Sequence, residues 1–219
     1  MMKFVVVIPA YNEGSRIKNV LKEVKKYSKN IVVVDDGSQD STAKEAKSQN
    51  VIVLRHITNL GKGAALKTGC DYALQHEFDR IIVMDADGQH KAKDIARFLK
   101  ALDENDIVFG ARKRTEKMPL VLRFGNWGLN LITTILYRIK IQDTQCGFRG
   151  FSSNTYKKIR WDAQNYDMES EMIARAGKAK LKYAQIPIET IYLDKYKGTT
   201  ILDGLKIGLK MLAWRLKKQ

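Results

Sequence analysis

The sequence predicts an α/β domain built on a mainly parallel central sheet and followed by a C-terminal amphipathic helix, and three observations carry that prediction. Short β-branched runs alternate with amphipathic stretches through the first half of the chain. The runs VVVI and IVVV lack in/out alternation, the pattern of strands covered by helices on both faces. Acidic or polar clusters follow three of the runs, and right-handed crossovers place the C-terminal ends of parallel strands, where ligands bind, on one edge.

The first strand is read near residues 4–8; its apolar run stops at Pro9, too short for a signal peptide or a membrane span. Helix 15–27 leads to a strand at 31–35 that ends in Asp35-Asp36-Gly37-Ser38, and helix 40–48 leads to a strand at 51–55. The stretch Asn59-Leu60-Gly61-Lys62-Gly63 turns into a helix at 62–76 and is either an anion-approaching loop or a tight connection. A strand at 80–84 ends in Asp85-Ala86-Asp87-Gly88-Gln89-His90, and helix 92–102 and a strand at 106–109 follow. Beyond residue 110 come an apolar segment at 118–139, a mixed stretch DTQCGFRGF at 143–151, a helix at 168–178, a strand at 181–187 and an amphipathic tail. With no linker or repeat, residues 1–200 read as one domain, the second half walling the site, and 201–219 as an appendage.

Composition narrows the function. The 219 residues are 44% hydrophobic and 29% charged, which excludes disordered and collagen-like classes. Cys70 and Cys146 form no CxxC pair, so a reducing, cytoplasmic compartment is expected and a structural zinc site is not. The net charge of +15 suits nucleic acid, an anionic membrane face or phosphorylated substrates. Nucleic acid is disfavoured for want of a recognition motif. Polar residues such as Arg123, Asn126, Asp203 and Lys206 interrupt every long apolar segment, so the protein is expected to be soluble or peripheral.

Asp85 and Asp87 can hold a hard divalent cation that also takes phosphate oxygens, although an isolated DxDG also makes a turn. With Asp35 and Asp36 on the same edge, four carboxylates without a cation would repel one another, which favours the cation. Neither GxGxxG nor GxxxxGK[ST] occurs, so another nucleotide-binding mode is needed.

IPAYNE, VVVDDGSQDST, NLGKGAALKTG, MDADGQH and DTQCGFR, in this order, resemble family 2 of the glycosyltransferases, of GT-A fold. Arg123-Phe124-Gly125-Asn126-Trp127 followed by DTQCGFR most resembles the dolichyl-phosphate mannose and glucose synthases, over about residues 3–200. The resemblance implies inverting transfer of a hexose from a nucleotide sugar to dolichyl or another polyprenyl phosphate, with Mg²⁺ or Mn²⁺. GDP-mannose is preferred slightly over UDP-glucose or UDP-N-acetylglucosamine. It makes residues 1–110 the nucleotide-binding half and 111–200 the acceptor-binding half. Pro9, Tyr11, Glu13 and Asp36 match base and ribose contacts, Lys62 joins the donor site, Asp85 bridges nucleotide and metal, and Asp87 and Gln89 match the metal site. Arg112, Arg123 and Arg149 are candidates for holding the acceptor phosphate, with Lys195 where the family's mannose synthases have arginine before a glycine, here Gly198. A phosphate acceptor, with a second pKa of about 6, needs cations rather than a base. Glu171 matches a family glutamate, or serves the helix dipole. Two alternatives stay open, transfer to a sugar hydroxyl and, from another class, a basic nucleic-acid-binding module. A processive polymer synthase is disfavoured, since Lys157 stands at the glutamine of QxxRW.

Leu120 to Tyr137 is largely apolar and reads as core or as an interfacial helix. In the tail, Asp203, Lys206, Lys210 and Lys217 share a face opposite Leu202, Leu205, Leu209, Leu212 and Leu216, with Trp214 nearby. Such a helix can lie on an anionic membrane surface at the cytoplasmic face, or pack on the domain or in a homodimer. A separate membrane-anchor protein is a further possible partner.

Overall fold

The structure, a computed structural model, describes residues 2–112, 130–165, 167–189 and 201–216, the side chains of 201–205, 207 and 216 excepted. The strands are β1 (Phe4–Ala10), β2 (Ile31–Asp35), β3 (Ile52–Arg55), β4 (Arg80–Val83), β5 (Ile107–Arg112), β6 (Arg149–Ser152) and β7 (Tyr183–Ile188). The helices are α1 (Ile17–Val24), α2 (Thr42–Lys47), α3 (Lys62–Gln75), α4 (Asp94–Ala101), α5 (described over residues 130–137), α6 (Ser153–Ile159), α7 (Met168–Lys178) and α8 (Ile201–Leu216).

All seven strands join one sheet in the order β3-β2-β1-β4-β6-β5-β7. Pairing is parallel except at β6, which runs antiparallel to β4 and β5. The missing alternation in the strand sequences has its cause in two cores. Val5, Val7, Val32 and Val34 face the layer of α3 and α7, with Leu66 and Met172. Val6, Ile8, Ile31 and Val33 face the layer of α1 and α4, with Leu21 and Phe98. Helix α1 contributes Ile17, Val20, Leu21 and Val24, the i, i+3, i+4, i+7 stripe of a helix with one buried face.

Strand β6 corrects the sequence reading of 143–151 as a mixed stretch. Its four residues RGFS give no periodicity long enough to mark a strand. Its reversed direction carries its N-terminal end, and with it residues 143–148, to the edge where β1, β2 and β4 end. Of the 118–139 segment only the end is described; there Thr133 and Tyr137 are buried while Leu131 and Ile135 are exposed.

Helix α8 packs on α7. Met211 is buried, its carbonyl accepts the Tyr137 hydroxyl, and the Trp214 carbonyl accepts the Lys178 ammonium. Leu209 and Leu212 point outward. Lys210, expected on the outer cationic face, instead pairs with Asp167 at the N-cap of α7. Lys217 lies outside the described residues. No described helix is long and apolar enough to cross a membrane.

Candidate active site

The turns after β1 and β2 interlock. Ser38 Oγ accepts the Asn12 amide at 2.9 Å, Thr42 Oγ1 the Glu13 amide at 2.8 Å, and Asn12 Oδ1 the Gln39 amide at 3.0 Å. Pro9 lies inside β1 opposite Val34, Tyr11 is exposed at the strand's end, and Glu13 pairs with Arg16. These three expected nucleotide contacts therefore line one edge, with Tyr11 the most accessible. Asp36, expected among them, is buried and already engaged: Oδ1 accepts the Leu60 amide at 2.9 Å and faces His56 Nδ1 at 2.7 Å, while Oδ2 accepts the Gly61 amide at 2.8 Å.

Next to this edge stands a chain of three charges. Lys62 Nζ lies 2.7 Å from Asp85 Oδ1 and 2.8 Å from Glu169 Oε1. Burial pushes the Asp85 carboxyl up, but Lys62 first, then His90 and Arg112, hold it at about 2. Burial likewise opposes the Lys62 charge, and Asp85 and Glu169 together override it and raise its pKa. Glu169 is 1% exposed, and its Oε2 meets no hydrogen-bond donor among the described residues. Asp85 fits against Gly147, where an added Cβ would come within 2.4 Å of Oδ2, so any larger residue would displace the carboxylate.

Asp87 turns the following chain by accepting the Gln89 amide at 2.9 Å, and it forms no ion pair with a described residue. Both the turn and the cation reading of DxDG are thus compatible with its geometry. The described residues contain no group of three or more His, Cys, Asp or Glu able to cage a metal. The Asp85 and Asp87 carboxylates and the Gln89 side-chain carbonyl are hard oxygen donors, and Mg²⁺ or Mn²⁺ with this set fits only by taking phosphate oxygens or water as well, the usual habit of Mg²⁺.

The glycine-rich stretch proves to be a tight connection. Gly61 has φ +97, and an added Cβ would meet Gln164 O and Asn165 Oδ1 at 2.5 Å. The Gln164 carbonyl accepts the Gly63 amide at 2.6 Å and the Ala64 amide at 3.2 Å, so those two N-terminal donors of α3 are spent on the chain itself. What α3 presents to the site is the Lys62 side chain. The 161–165 segment that caps α3 is held in turn by Glu171, which accepts the Asp162 and Ala163 amides and pairs with Arg175. Glu171 is therefore a brace between loop and helix.

The expected cations divide. Arg112 forms a fork with Asp143, Nε to Oδ2 at 2.6 Å and Nη2 to Oδ1 at 3.0 Å, and remains partly exposed on the edge. Burial raises and Arg112 outweighs it at Asp143, whose carboxyl is lowered. Arg149 is placed differently from the expectation that it holds the acceptor phosphate. The residue is 1% exposed, and its guanidinium donates to the carbonyls of Cys146, Glu169 and Thr144 at 3.0, 2.7 and 2.9 Å. It lies over the Phe109 ring, and burial lowers its pKa. Arg149 thus fastens the 144–146 loop to α7. Arg123 and Lys195 lie outside the described residues. Sequence reasoning missed Glu169, His56 and the pairing of Asp143; only Asp143 carried a signal, as the first residue of a motif already singled out.

The glycosyl transferase family 2 model matches residues 5–160. An uncharacterised protein of Methanocaldococcus jannaschii is 43% identical, over 96% of this chain and 91% of that protein. A UDP-N-acetylglucosamine–dolichyl-phosphate N-acetylglucosaminyltransferase of Methanococcus voltae is 35% identical, over 97% of this chain and 96% of that one. The solved structure of Mycobacterium tuberculosis glucosyl-3-phosphoglycerate synthase in complex with Mg²⁺ and UDP matches with a TM-score of 0.76 at 17% identity, over 98% of this chain and 78% of that chain. The fold is that of the GT-A enzymes, and the chain belongs to glycosyl transferase family 2 as a glycosyltransferase.

Proposed function

We propose that this glycosyltransferase moves a hexose from a nucleotide sugar to dolichyl or another polyprenyl phosphate with inversion at the anomeric carbon. The observation that carries the reading is the single edge on which Asp85, Asp87, Lys62 and Arg112 meet, an arrangement of opposite charges suited to two phosphate-bearing ligands. The Methanococcus voltae relative, of nearly the same length and 35% identical, is named for such an acceptor.

In this mechanism Pro9, Tyr11 and Glu13 flank the nucleoside, and the diphosphate lies over Asp85 and Asp87. A Mg²⁺ or Mn²⁺ ion, held by Asp85, Asp87 and Gln89, would neutralise the diphosphate as leaving group. Lys62 supplies a fixed positive charge beside Asp85 and keeps it there because Glu169 anchors the ammonium from behind. The acceptor phosphate is a nucleophile at neutral pH, so no side chain has to remove a proton. One of its oxygens bonds to the anomeric carbon as the bond to the diphosphate breaks, and the nucleoside diphosphate leaves with the electron pair. Arg112, its guanidinium plane fixed by Asp143, faces the acceptor phosphate, with Arg123 and Lys195 completing the cationic set.

The acceptor's lipid gives α8 a purpose. Lys206, Leu209, Leu212 and Arg215, three residues apart, are all exposed, while Gly208, Met211 and Trp214 face the body. A leucine pair bounded by cations suits a helix lying on anionic lipid, which supports the reading of a peripheral enzyme on the cytoplasmic membrane face.

The test is transfer from radiolabelled UDP-N-acetylglucosamine, UDP-glucose and GDP-mannose to a short polyprenyl phosphate with Mg²⁺ or Mn²⁺. Label is expected in the organic phase for one donor, as the inverted product. Transfer to a free sugar hydroxyl, with none to polyprenyl phosphate, would establish the alternative acceptor instead.

A further inference from the structure

We infer that His56, outside every motif of the sequence, is a positioning residue for Lys62, acting through Asp36 and the turn that precedes α3. His56 directly follows β3, and its amide donates to the Asp35 carbonyl at 2.9 Å, which continues the pairing with β2 by one residue. Its ring is almost buried and joins three elements: Nδ1 lies 2.7 Å from Asp36 Oδ1 at the end of β2, and Nε2 lies 3.0 Å from Thr68 Oγ1 on α3. The Asp36 carboxylate can only accept, so Nδ1 carries the hydrogen toward it, while Nε2 is hydrogen-bonded with the Thr68 hydroxyl. The ring thereby fixes the rotation of the carboxylate, and the carboxylate spends its two oxygens on the Leu60 and Gly61 amides. Gly61, whose backbone is in a left-handed conformation closed to other residues, leads directly into Lys62.

The consequence follows from where the slack would otherwise be. The α3 amides at Gly63 and Ala64 are tied to Gln164 from the α7 side, and the Leu60 and Gly61 amides are tied to Asp36 from the β2 side. Lys62 sits between these two anchorages, and only with both in place does its ammonium fall between Asp85 and Glu169 at under 3 Å from each. His56 controls the second anchorage through Asp36 and Thr68, with no hydrogen bond or ion pair to Lys62 or Asp85. Its functional consequence rests on the donor site proposed above; the effect on Lys62 does not.

The two ring nitrogens can be separated by substitution. His56→Asn keeps an amide N–H near the place of Nδ1, whereas His56→Gln carries its amide toward the place of Nε2 and abandons Asp36. In protein with ¹⁵N-labelled lysine, the Lys62 ammonium, identified by its absence in Lys62→Met, is expected as a slowly exchanging signal in the unmodified chain. It is expected to persist in His56→Asn and to vanish or broaden in His56→Gln, with the amide spectrum native in both. Retention of the signal in both variants, or its equal loss in both, would overturn the inference. In the transfer assay, His56→Gln should raise the donor KM about tenfold, short of the roughly hundredfold cost of a full ångström of misplacement, and leave the acceptor KM unchanged. An acceptor KM that rises equally would also count against it. Absence of transfer with every donor in the unmodified protein would be a failure of the acceptor reading, and the ammonium signal would still decide the role of His56.

Discussion

Lys62→Met removes one ammonium from between two carboxylates while keeping most of the side chain's volume. In the native chain Asp85 titrates at about 2 against an ordinary 3.8, with Lys62 the strongest of the charges that overcome its burial. At 1.36 kcal/mol per tenfold change in proton affinity, that difference is worth about 2.5 kcal/mol, reduced to roughly 2 kcal/mol because the Asp85 side chain is 23% exposed. The folded pKa is depressed, so the contribution is complete above the ordinary carboxyl value and is lost as the pH falls from about 4 through about 2. In the variant the sign reverses. Asp85 and the buried Glu169 then face each other without the ammonium between them, and burial with mutual repulsion, opposed only by the more distant His90 and Arg112, raises the folded pKa of Asp85. A raised carboxyl favours the folded state only while protonated, so stability falls as pH rises. Removing one partner of a buried pair costs about 3–5 kcal/mol. Urea unfolding at pH 5 and pH 8 measures both effects: the variant should be less stable at both, with the gap to the native chain wider at pH 8. A gap below about 1 kcal/mol, or one that does not change with pH, would refute the reasoning that the ammonium is the counter-charge of both carboxylates.

Asp87→Asn should fold normally and lose metal-dependent transfer by about a hundredfold or more, since an amide is a far weaker ligand for a hard cation; near-native turnover at saturating donor would remove Asp87 from the metal site. Arg149→Lys should lower stability by about 2–3 kcal/mol, because one ammonium cannot serve three buried carbonyls, and should leave the acceptor KM of the folded protein within about twofold. A raised acceptor KM at native stability would return Arg149 to the acceptor site. Leu209→Asp with Leu212→Asp should weaken cosedimentation with anionic vesicles by roughly two decades, at about 1.5 kcal/mol of burial for each leucine; undiminished sedimentation would clear α8 of that role.

The first half of the fold was legible because its signals are local. Five apolar runs of strand length, the helical periodicity between them and the polar clusters at their ends require no knowledge of distant contacts, and β1 to β5 lie where those runs lie. Strand β6 was not legible for a physical reason. A four-residue strand that is covered on both sides, with Gly150 pressed against Ile82, gains its state from its neighbours β4 and β5 and shows no pattern of its own. In the site, Asp85 and Asp87 were visible as a pair because chemistry demands that spacing along the chain. Glu169 was not visible, because its partner Lys62 stands more than a hundred residues earlier and nothing in MESEM marks the first glutamate over the second.

The basic residues show where reading charge from sequence stops. A cation on a ligand-binding edge and a cation that fastens a loop have the same letter, and what separates them is whether their counter-charge belongs to the chain. Arg149 finds three carbonyls and is closed off from solvent. Lys210 finds Asp167 and leaves the outer face of α8 to Lys206 and Arg215. Arg112 has a carboxylate partner yet remains partly exposed, so Asp143 orients it without burying it. Lys62 is the mixed case: it is held by two carboxylates, of which Glu169 is sealed inside the protein and Asp85 stands at the edge. Under the proposed donor site, an arriving diphosphate would compete for the ammonium on the Asp85 side, while Glu169 would keep the charge from leaving with the product.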